Sequence, residues 1–281
     1  MEVISFVNHK GGVGKSTLCA HFAQALSIIG QNVLVIDNDS QHSLTNAMNL
    51  TVGEVTIRDW YNGKFANSEE FLQEAITQGS IASLHAISSE LRLCNRDIRD
   101  DMVLHDLIYN SFIKEYYDFV LIDNHPGIDD LQRASILAST RIFIPVQLKQ
   151  KSLEGLAEML AVLEQEFKVS KEKITIIPNI VENLKAQQIM HGVLEKYFAD
   201  HLAPISIPLD RAIEEVERER KILFLDRLSS SKSAAHFVKL LTVLFPYVAS
   251  DYNGVEKEIR ASRKEHRAEI ARNNLLKSRK A

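Results

Sequence analysis

Short apolar runs alternate along the chain with longer stretches of helical period, which predicts an α/β fold with a mostly parallel, twisted sheet flanked by helices on both faces. The segments Val3–Val7, Asn32–Ile36, Ser83–Ile87, Phe119–Ile122, Arg141–Val146, Ile174–Ile177 and Pro204–Ile207 read as strands. Those at 33–36, 119–122 and 174–177 are apolar without alternation, as strands covered on both faces are. Helical spacing predicts helices over Ser16–Ile29, Met102–Glu115, Asp129–Ala138, Leu153–Phe167, Ala186–Asp200, Asp210–Arg218 and Ser233–Val248. Residues 51–100 are the least regular, with short helices expected near Ile57–Tyr61, near Glu69–Ile76 and after Ser88.

Composition changes that picture mainly at the end of the chain. Over 281 residues, 33 Lys and Arg stand against 37 Asp and Glu, a net charge of −4 that by itself discourages nucleic acid as a partner. The segment from Tyr252 to Ala281, however, holds nine basic and four acidic residues, net +5, so residues 1–251 carry 24 basic and 33 acidic residues, net −9. Pro246 and Asp251–Gly254 punctuate the change, which predicts a main domain over 1–250 and a basic, helical or disordered tail over 251–281. Apolar runs fall far short of the roughly 20 residues of a membrane span, and the N-terminal residues do not read as a signal peptide. A cytoplasmic location is expected. Cys19 and Cys94 are too far apart in sequence for a CxxC pair.

The candidate chemistry follows the first strand. Asn8-His9-Lys10-Gly11-Gly12-Val13-Gly14-Lys15-Ser16-Thr17 runs straight into a helical segment. A glycine-rich loop between strand and helix wraps backbone N–H groups around phosphate oxygens, and the helix N-terminus adds its positive dipole end. Gly11, Gly12, Val13 and Gly14 would form the cradle. Lys15 would reach the β- and γ-phosphates, Ser16 would ligate Mg²⁺, and Thr17 would bond the α-phosphate. The general pattern wants glycine where this chain has His9.

With its extra Lys10, the text Lys-Gly-Gly-Val-Gly-Lys-Ser-Thr resembles the deviant Walker A motif of the ParA/MinD superfamily of P-loop ATPases. The resemblance implies that Lys10 crosses a homodimer interface to the partner's nucleotide, with two ATP molecules sandwiched between subunits. Val33-Leu34-Val35-Ile36-Asp37-Asn38-Asp39-Ser40-Gln41 is similar to the family's second motif, D-x-D-P-Q, with Ser40 in place of proline. By that match Asp39 orients the attacking water and Asp37 supports the Mg²⁺ shell. Phe119-Val120-Leu121-Ile122-Asp123 resembles the Walker B strand, which gives Asp123 a water-mediated hold on Mg²⁺. The usual D-x-P-P continuation is replaced by Asn124-His125-Pro126-Gly127. Pro145-Val146-Gln147, Ser152-Leu153-Glu154-Gly155-Leu156, Ile176-Ile177-Pro178-Asn179 and Ile207-Pro208-Leu209-Asp210 also match family text. There Asn179 is implied to read adenine and the backbone at Pro208 and Asp210 to line the base. The family's E-A and G-K-P continuation has diverged to Glu215-Val216 and Arg220-Lys221-Ile222.

Within the superfamily the text is nearest to small ParA-type partition proteins, whose first strand, as here, opens the sequence. That branch implies a slow ATPase that dimerises on ATP, binds DNA without sequence preference, and is triggered to hydrolyse by a ParB-like partner, so that a plasmid, chromosome region or protein cargo is positioned over the nucleoid. Candidate phosphate contacts on DNA are Lys185, Arg218, Arg220, Arg260, Arg263, Lys264 and Arg267, with Lys149, Lys151 and Arg211 as further possibilities. The alternative is a MinD-like ATPase held at a membrane surface, for which Val255, Ile259, Ile270, Leu275 and Leu276 offer a weak apolar stripe. A cluster-bearing reductase would need paired cysteines and is disfavoured. The tail itself reads first as a DNA contact, with a partner helix and a solvated end without a specific role as the alternatives.

Overall fold

The computed structural model describes residues 1–48, 50–248 and 252–278, with side chains as far as residue 268 together with Arg272. Asp251 at the expected boundary, the side chains of Ile270, Leu275, Leu276 and Lys277, and Arg279 and Lys280 lie outside the described set.

In chain order the elements are β1 (Glu2–Phe6), α1 (Lys15–Ile28), β2 (Val33–Asn38), α2 (Ser43–Ala47), α3 (Ile57–Tyr61), α4 (Ser68–Ala75), β3 (Ile76–Gln78), β4 (Leu84–Ile87), α5 (Val103–Tyr109) and α6 (Ile113–Tyr116). They continue with β5 (Phe119–Asn124), α7 (Asp130–Ala138), β6 (Arg141–Val146), α8 (Gln150–Gln165), β7 (Ile174–Pro178), α9 (Lys185–Phe198), α10 (Arg211–Arg218), α11 (Leu223–Asp226), α12 (Lys232–Leu244) and α13 (Tyr252–Ser278). One seven-stranded sheet runs β3-β4-β2-β5-β1-β6-β7, parallel except for β3 at its edge. The fold is that of a P-loop NTPase.

Strand alternation divides the sheet between two layers of helices. Val33, Val35, Phe119, Leu121, Ile4 and Phe6 face α1, α11 and α12, whereas Leu34, Ile36, Val120, Ile122 and Val3 face the layer holding α3, α5 and α7. Phe22 of α1 packs edge-on or tilted against Phe6, Phe143, Phe237 and Phe245, fixing α1 on the central strands. Beyond β6 and β7, α8 and Leu194 of α9 close a third apolar cluster.

Several expected elements change shape for identifiable reasons. No strand forms over Pro204–Ile207. That segment follows β7 through single bridges, Ile176 with Leu202 and Val181 with Pro208, because Pro204 and Pro208 supply no N–H to a ladder. The helix expected over Met102–Glu115 is two helices. Between them the Ser111 hydroxyl donates to the Leu107 carbonyl at 2.6 Å and accepts from Ile113 N at 3.2 Å, taking over backbone bonds that a continuous helix would make. Ile76 ends α4 and begins β3, and the segment after Ser88 yields only a 3₁₀ turn at Asn95–Asp97. α12 stops at Leu244, before Phe245-Pro246. α2 and α11 are short elements that the periodicity did not predict.

The first part of the basic tail is helical and docked. Val255 and Ile259 of α13 are buried in the same core as α1, α11 and α12, and the Ser262 hydroxyl donates to the carbonyl of Ile28 at the C-terminal end of α1. Each buried aliphatic side chain of this kind contributes about 2 kcal/mol.

Candidate active site

The loop between β1 and α1 is shaped by two glycines in the left-handed region, Gly12 at φ 71° and Gly14 at φ 89°. At Gly14 the second constraint is space: a Cβ there would sit 2.3 Å from Nδ2 of Asn179. Side chains from neighbouring strands hold the loop from outside. Asn179, at the end of β7, donates to the Val13 carbonyl at 2.8 Å, and Gln147, just past β6, donates to the Gly12 carbonyl at 2.8 Å. Asn8 donates to Pro145 O at 2.8 Å while accepting from Lys10 N at 2.9 Å. His9 has its own accommodation, since a Cβ at Gly155 of α8 would lie 2.3 Å from its Cε1. The matches at Gln147 and Gly155 therefore belong to the loop physically as well as textually.

A cleft of about 590 Å³ opens over this loop, lined by Gly12, Gly14, Lys15, Ser16, Thr17 and Asp39, by Ser43, Asn46 and Ala47 of α2, and by Pro126, Glu217 and Arg218. Lys15 is buried, and its Nζ lies 3.4 Å from the Lys10 carbonyl. Burial pulls its ammonium below the usual range, opposed by the charges of Asp123 and Asp39. The Lys10 side chain turns back to the Lys151 carbonyl of its own chain at the rim.

Three carboxylates gather at the strand ends. Asp37 and Asp123 are register partners across β2 and β5. Asp37 is fully engaged: its Oδ2 accepts from Thr45 Oγ1 at 2.6 Å and Thr45 N at 3.0 Å, and its Oδ1 accepts from Asp39 N at 3.2 Å. Burial nevertheless pushes its carboxyl up to about 6. Asp37, expected in the metal shell, thus anchors α2 beside the cleft. Asp123 is completely buried and neither oxygen makes a well-formed hydrogen bond; burial, then Asp37, hold its carboxyl well above the carboxylate range against the pull of the nearby Ser16 hydroxyl and Lys15 ammonium. Asp39 is buried at the cleft wall and accepts from Gln41 N at 2.9 Å. On the opposite sheet face Asn38 donates to Asn124 at 2.9 Å and to Leu131 O at 3.0 Å, and accepts from Tyr61 OH at 3.0 Å, locking the ends of both acidic strands.

The donor set fits Mg²⁺. Among the described residues no cluster of three or more His, Cys, Asp or Glu could hold a metal by itself, but Mg²⁺ keeps several waters and takes one or two protein groups plus phosphates. Ser16 and the buried Asp123 carboxylate, beside the phosphate loop, match that requirement.

The loop after β5 is built differently from the family pattern. His125 Nε2 donates to Asp129 Oδ2 at 2.7 Å, and Gly127 at φ 152° lets the chain pass close to the imidazole. Burial disfavours the imidazolium, but Asp129 outweighs it and the His125 pKa is raised.

On the base side a smaller cavity of about 130 Å³ is lined by Gly14, Thr17, Asn179, Ile180, Pro208, Leu209, Asp210, Ile213, Glu214 and Glu217. The expected residues Asn179, Pro208 and Asp210 meet there. The Asp210 carboxylate is occupied by Ala212 N, Ser231 Oγ and Ser233 N at 2.7–3.0 Å, which leaves its backbone to face the cavity.

The candidate DNA contacts separate into groups. Arg218 lines the phosphate cleft, a placement its sequence position did not suggest. Arg220 is exposed at φ 56°, a conformation that favours glycine, where the family text has glycine. Lys185 is exposed at the start of α9. Arg260, Lys264 and Arg267 are exposed on α13, with Arg260 paired to Glu256 at 2.7 Å, and Arg263 is partly buried with Nε unpartnered. Sequence reasoning missed Glu217 and the cleft-lining face of α2, and it matched Gln147 to family text without giving it a role; the Thr45 hydroxyl eight residues after Asp37 was the available signal for α2.

Residues 1–176 match the family model described as AAA domain. The chain is 28% identical over 168 residues to the chromosome-partitioning ATPase Soj of Treponema pallidum, covering 58% of this chain and 64% of that protein. It is 25% identical over 236 residues to the sporulation initiation inhibitor protein Soj of Bacillus subtilis, covering 80% and 90%. Its fold superposes on the septum site-determining protein MinD from Pyrococcus horikoshii, complexed with Mg-ADP, with a TM-score of 0.71 at 22% identity, covering 86% of this chain and 95% of that one. With its loop, acidic strands and sheet order alike, the chain belongs to the ParA/MinD superfamily of deviant Walker A ATPases within the AAA domain family.

Proposed function

We propose that the chain is a partition-type ATPase that binds Mg²⁺-ATP, dimerises around it, and in that state holds DNA without sequence preference, releasing it when a ParB-like partner triggers hydrolysis. The observation that carries the reading is a cleft beneath a glycine loop, lined by Lys15, Ser16 and Asp39, with Asp123 buried behind it within the reach of the Ser16 hydroxyl and the Lys15 charge. Lys15 and the loop N–H groups bind the phosphates. Asp39 orients water on the γ-phosphate, and Asp123 with Ser16 holds Mg²⁺, which when bound neutralises the charge that develops on the phosphates. Lys10 at the rim is the residue to reach a second subunit. Its present contact is one backbone carbonyl, which a closing dimer can replace.

DNA is favoured over a membrane surface by what α13 does with its apolar residues. Val255 and Ile259 are spent on the core, and basic Lys264 and Arg267 are exposed. Among the described residues no helix is long and apolar enough to cross a membrane. A position over the nucleoid, with a plasmid, chromosome region or protein complex as cargo, follows from that reading.

The test is retention on random-sequence DNA and on anionic vesicles with Mg²⁺-ATP or Mg²⁺-ADP. Retention on DNA with ATP only, dropping steeply with salt, is the expected result. Equal retention with ADP removes the switch, and retention on vesicles alone moves the chain to the membrane-surface branch.

A further inference from the structure

Glu217 lies where the two cavities of the site meet. Gly14, Thr17 and Glu217 line both the phosphate cleft and the base-side cavity, and Glu217 is the side chain among them that brings a charge. Its Oε1 is buried without a hydrogen-bond partner. Burial holds the carboxyl above its usual range against the opposing pull of the Thr17 hydroxyl, so the group sits against the residue expected at the α-phosphate. A carboxylate accepts hydrogen bonds and repels phosphate. In a nucleoside triphosphate spanning the two cavities, the part between the α-phosphate and the base is the sugar, whose hydroxyls are neutral donors. The neighbouring residue, Arg218, also lines the phosphate cleft.

We infer that Glu217 binds the sugar of the nucleotide, its carboxylate accepting a hydrogen bond from a ribose hydroxyl, so that the site selects ribonucleoside over deoxyribonucleoside triphosphates. The inference rests on the ATP-site reading above. It adds a specificity-determining residue from α10, an element that contributes nothing to the phosphate loop itself.

The experiment is calorimetric titration of the full chain, as wild type, Glu217→Ala and Glu217→Gln, with Mg²⁺ complexes of ATP, 2′-deoxy-ATP and 3′-deoxy-ATP. A hydrogen bond to a charged acceptor predicts that wild type prefers ATP over at least one deoxy analogue by about tenfold or more. Glu217→Ala should bind all three alike, and Glu217→Gln, which keeps an acceptor oxygen, should retain part of the preference. Wild type that does not discriminate, or an alanine variant that keeps the full ratio, overturns the role of Glu217 while leaving the ATP site standing. Wild type that binds none of the three overturns the ATP site, and the inference falls with it.

Discussion

Asp37 and Asp123 stand side by side as register partners on one face of the sheet, yet every oxygen of Asp37 is hydrogen-bonded within the fold, whereas Asp123 makes no well-formed hydrogen bond and has only the Ser16 hydroxyl and the Lys15 charge to draw on. One carboxylate is engaged in building the site, and the other is the one proposed above for Mg²⁺. The two should therefore respond in opposite ways to the same substitution. Asp123→Asn removes a buried carboxyl whose charged form is disfavoured by burial and by Asp37 and only partly offset by Lys15, and should raise the melting temperature of the nucleotide-free protein by a few degrees while reducing Mg²⁺-dependent hydrolysis to background. Asp37→Asn loses acceptors for Thr45 and should lower the melting temperature. Paired thermal scans decide it, and a destabilised Asp123→Asn would contradict the assignment.

Asp39 is at the wall of the cleft and has no part in holding the loop. Asp39→Ala should slow hydrolysis by about a hundredfold or more, as loss of a water-positioning group does, while ATP is still bound. Mg²⁺-ATP should then accumulate dimer, visible by light scattering after size exclusion. A variant that stays monomeric with bound ATP would count against Asp39 as the water-orienting residue.

Gly155 faces His9 across a gap too small for a methyl group. In an ordinary helix interior Gly→Ala gains up to about 1 kcal/mol. Here Gly155→Ala should instead displace His9 and weaken ATP binding several-fold, and His9→Gly in the same chain should restore it. Additive losses in the double variant would show that the contact does not transmit to the loop.

His21, buried in α1 between Phe224 and Phe237, has its imidazole pushed down to about 4 by burial. Between pH 6.5 and 4 the unfolded chain binds the proton and the folded chain does not, so this group's contribution to stability is lost as pH falls through that window. Asp37, raised to about 6, works in the opposite direction, so the difference between wild type and His21→Leu is the informative curve. The variant should lose less stability than wild type on acidification, and parallel curves from denaturant titrations would exclude the effect.

Because Val255 and Ile259 belong to the core, removing 252–281 tests folding as much as binding. Lys264→Glu with Arg267→Glu, both exposed, is the cleaner probe. Reduced DNA retention and a shallower salt dependence should follow, with an unchanged melting temperature. An unaltered salt titration would leave Lys185 and Arg220 as the contacts to examine.

The strands were readable because Val33-Leu34-Val35-Ile36 and Phe119-Val120-Leu121-Ile122 are buried on both faces, and burial on both faces leaves no polar position to blur the run. The phosphate loop was readable because its backbone demands glycine at Gly12 and Gly14 and its chemistry demands Lys15 and Ser16. What escaped depends on contacts distant in sequence. Nothing local marks Glu217 as lining a nucleotide cleft, or Arg218 as a residue of that cleft rather than of an outer surface. Those placements arise where α10 borders the phosphate loop, far from it in the chain. The Pro204–Ile207 segment misled for the converse reason, since its apolar content suits a strand while two prolines deny it a ladder.

The phosphate loop opens α1, and the carbonyl of Ile28 at the other end of α1 receives the Ser262 hydroxyl of the basic helix. Fourteen residues of helix span about 21 Å and do not stretch. The proposed phosphate loop and the shelf on which α13 rests are thus two ends of one rod, so any rigid shift of α1 at the nucleotide end would also be a shift of the seat of the basic helix.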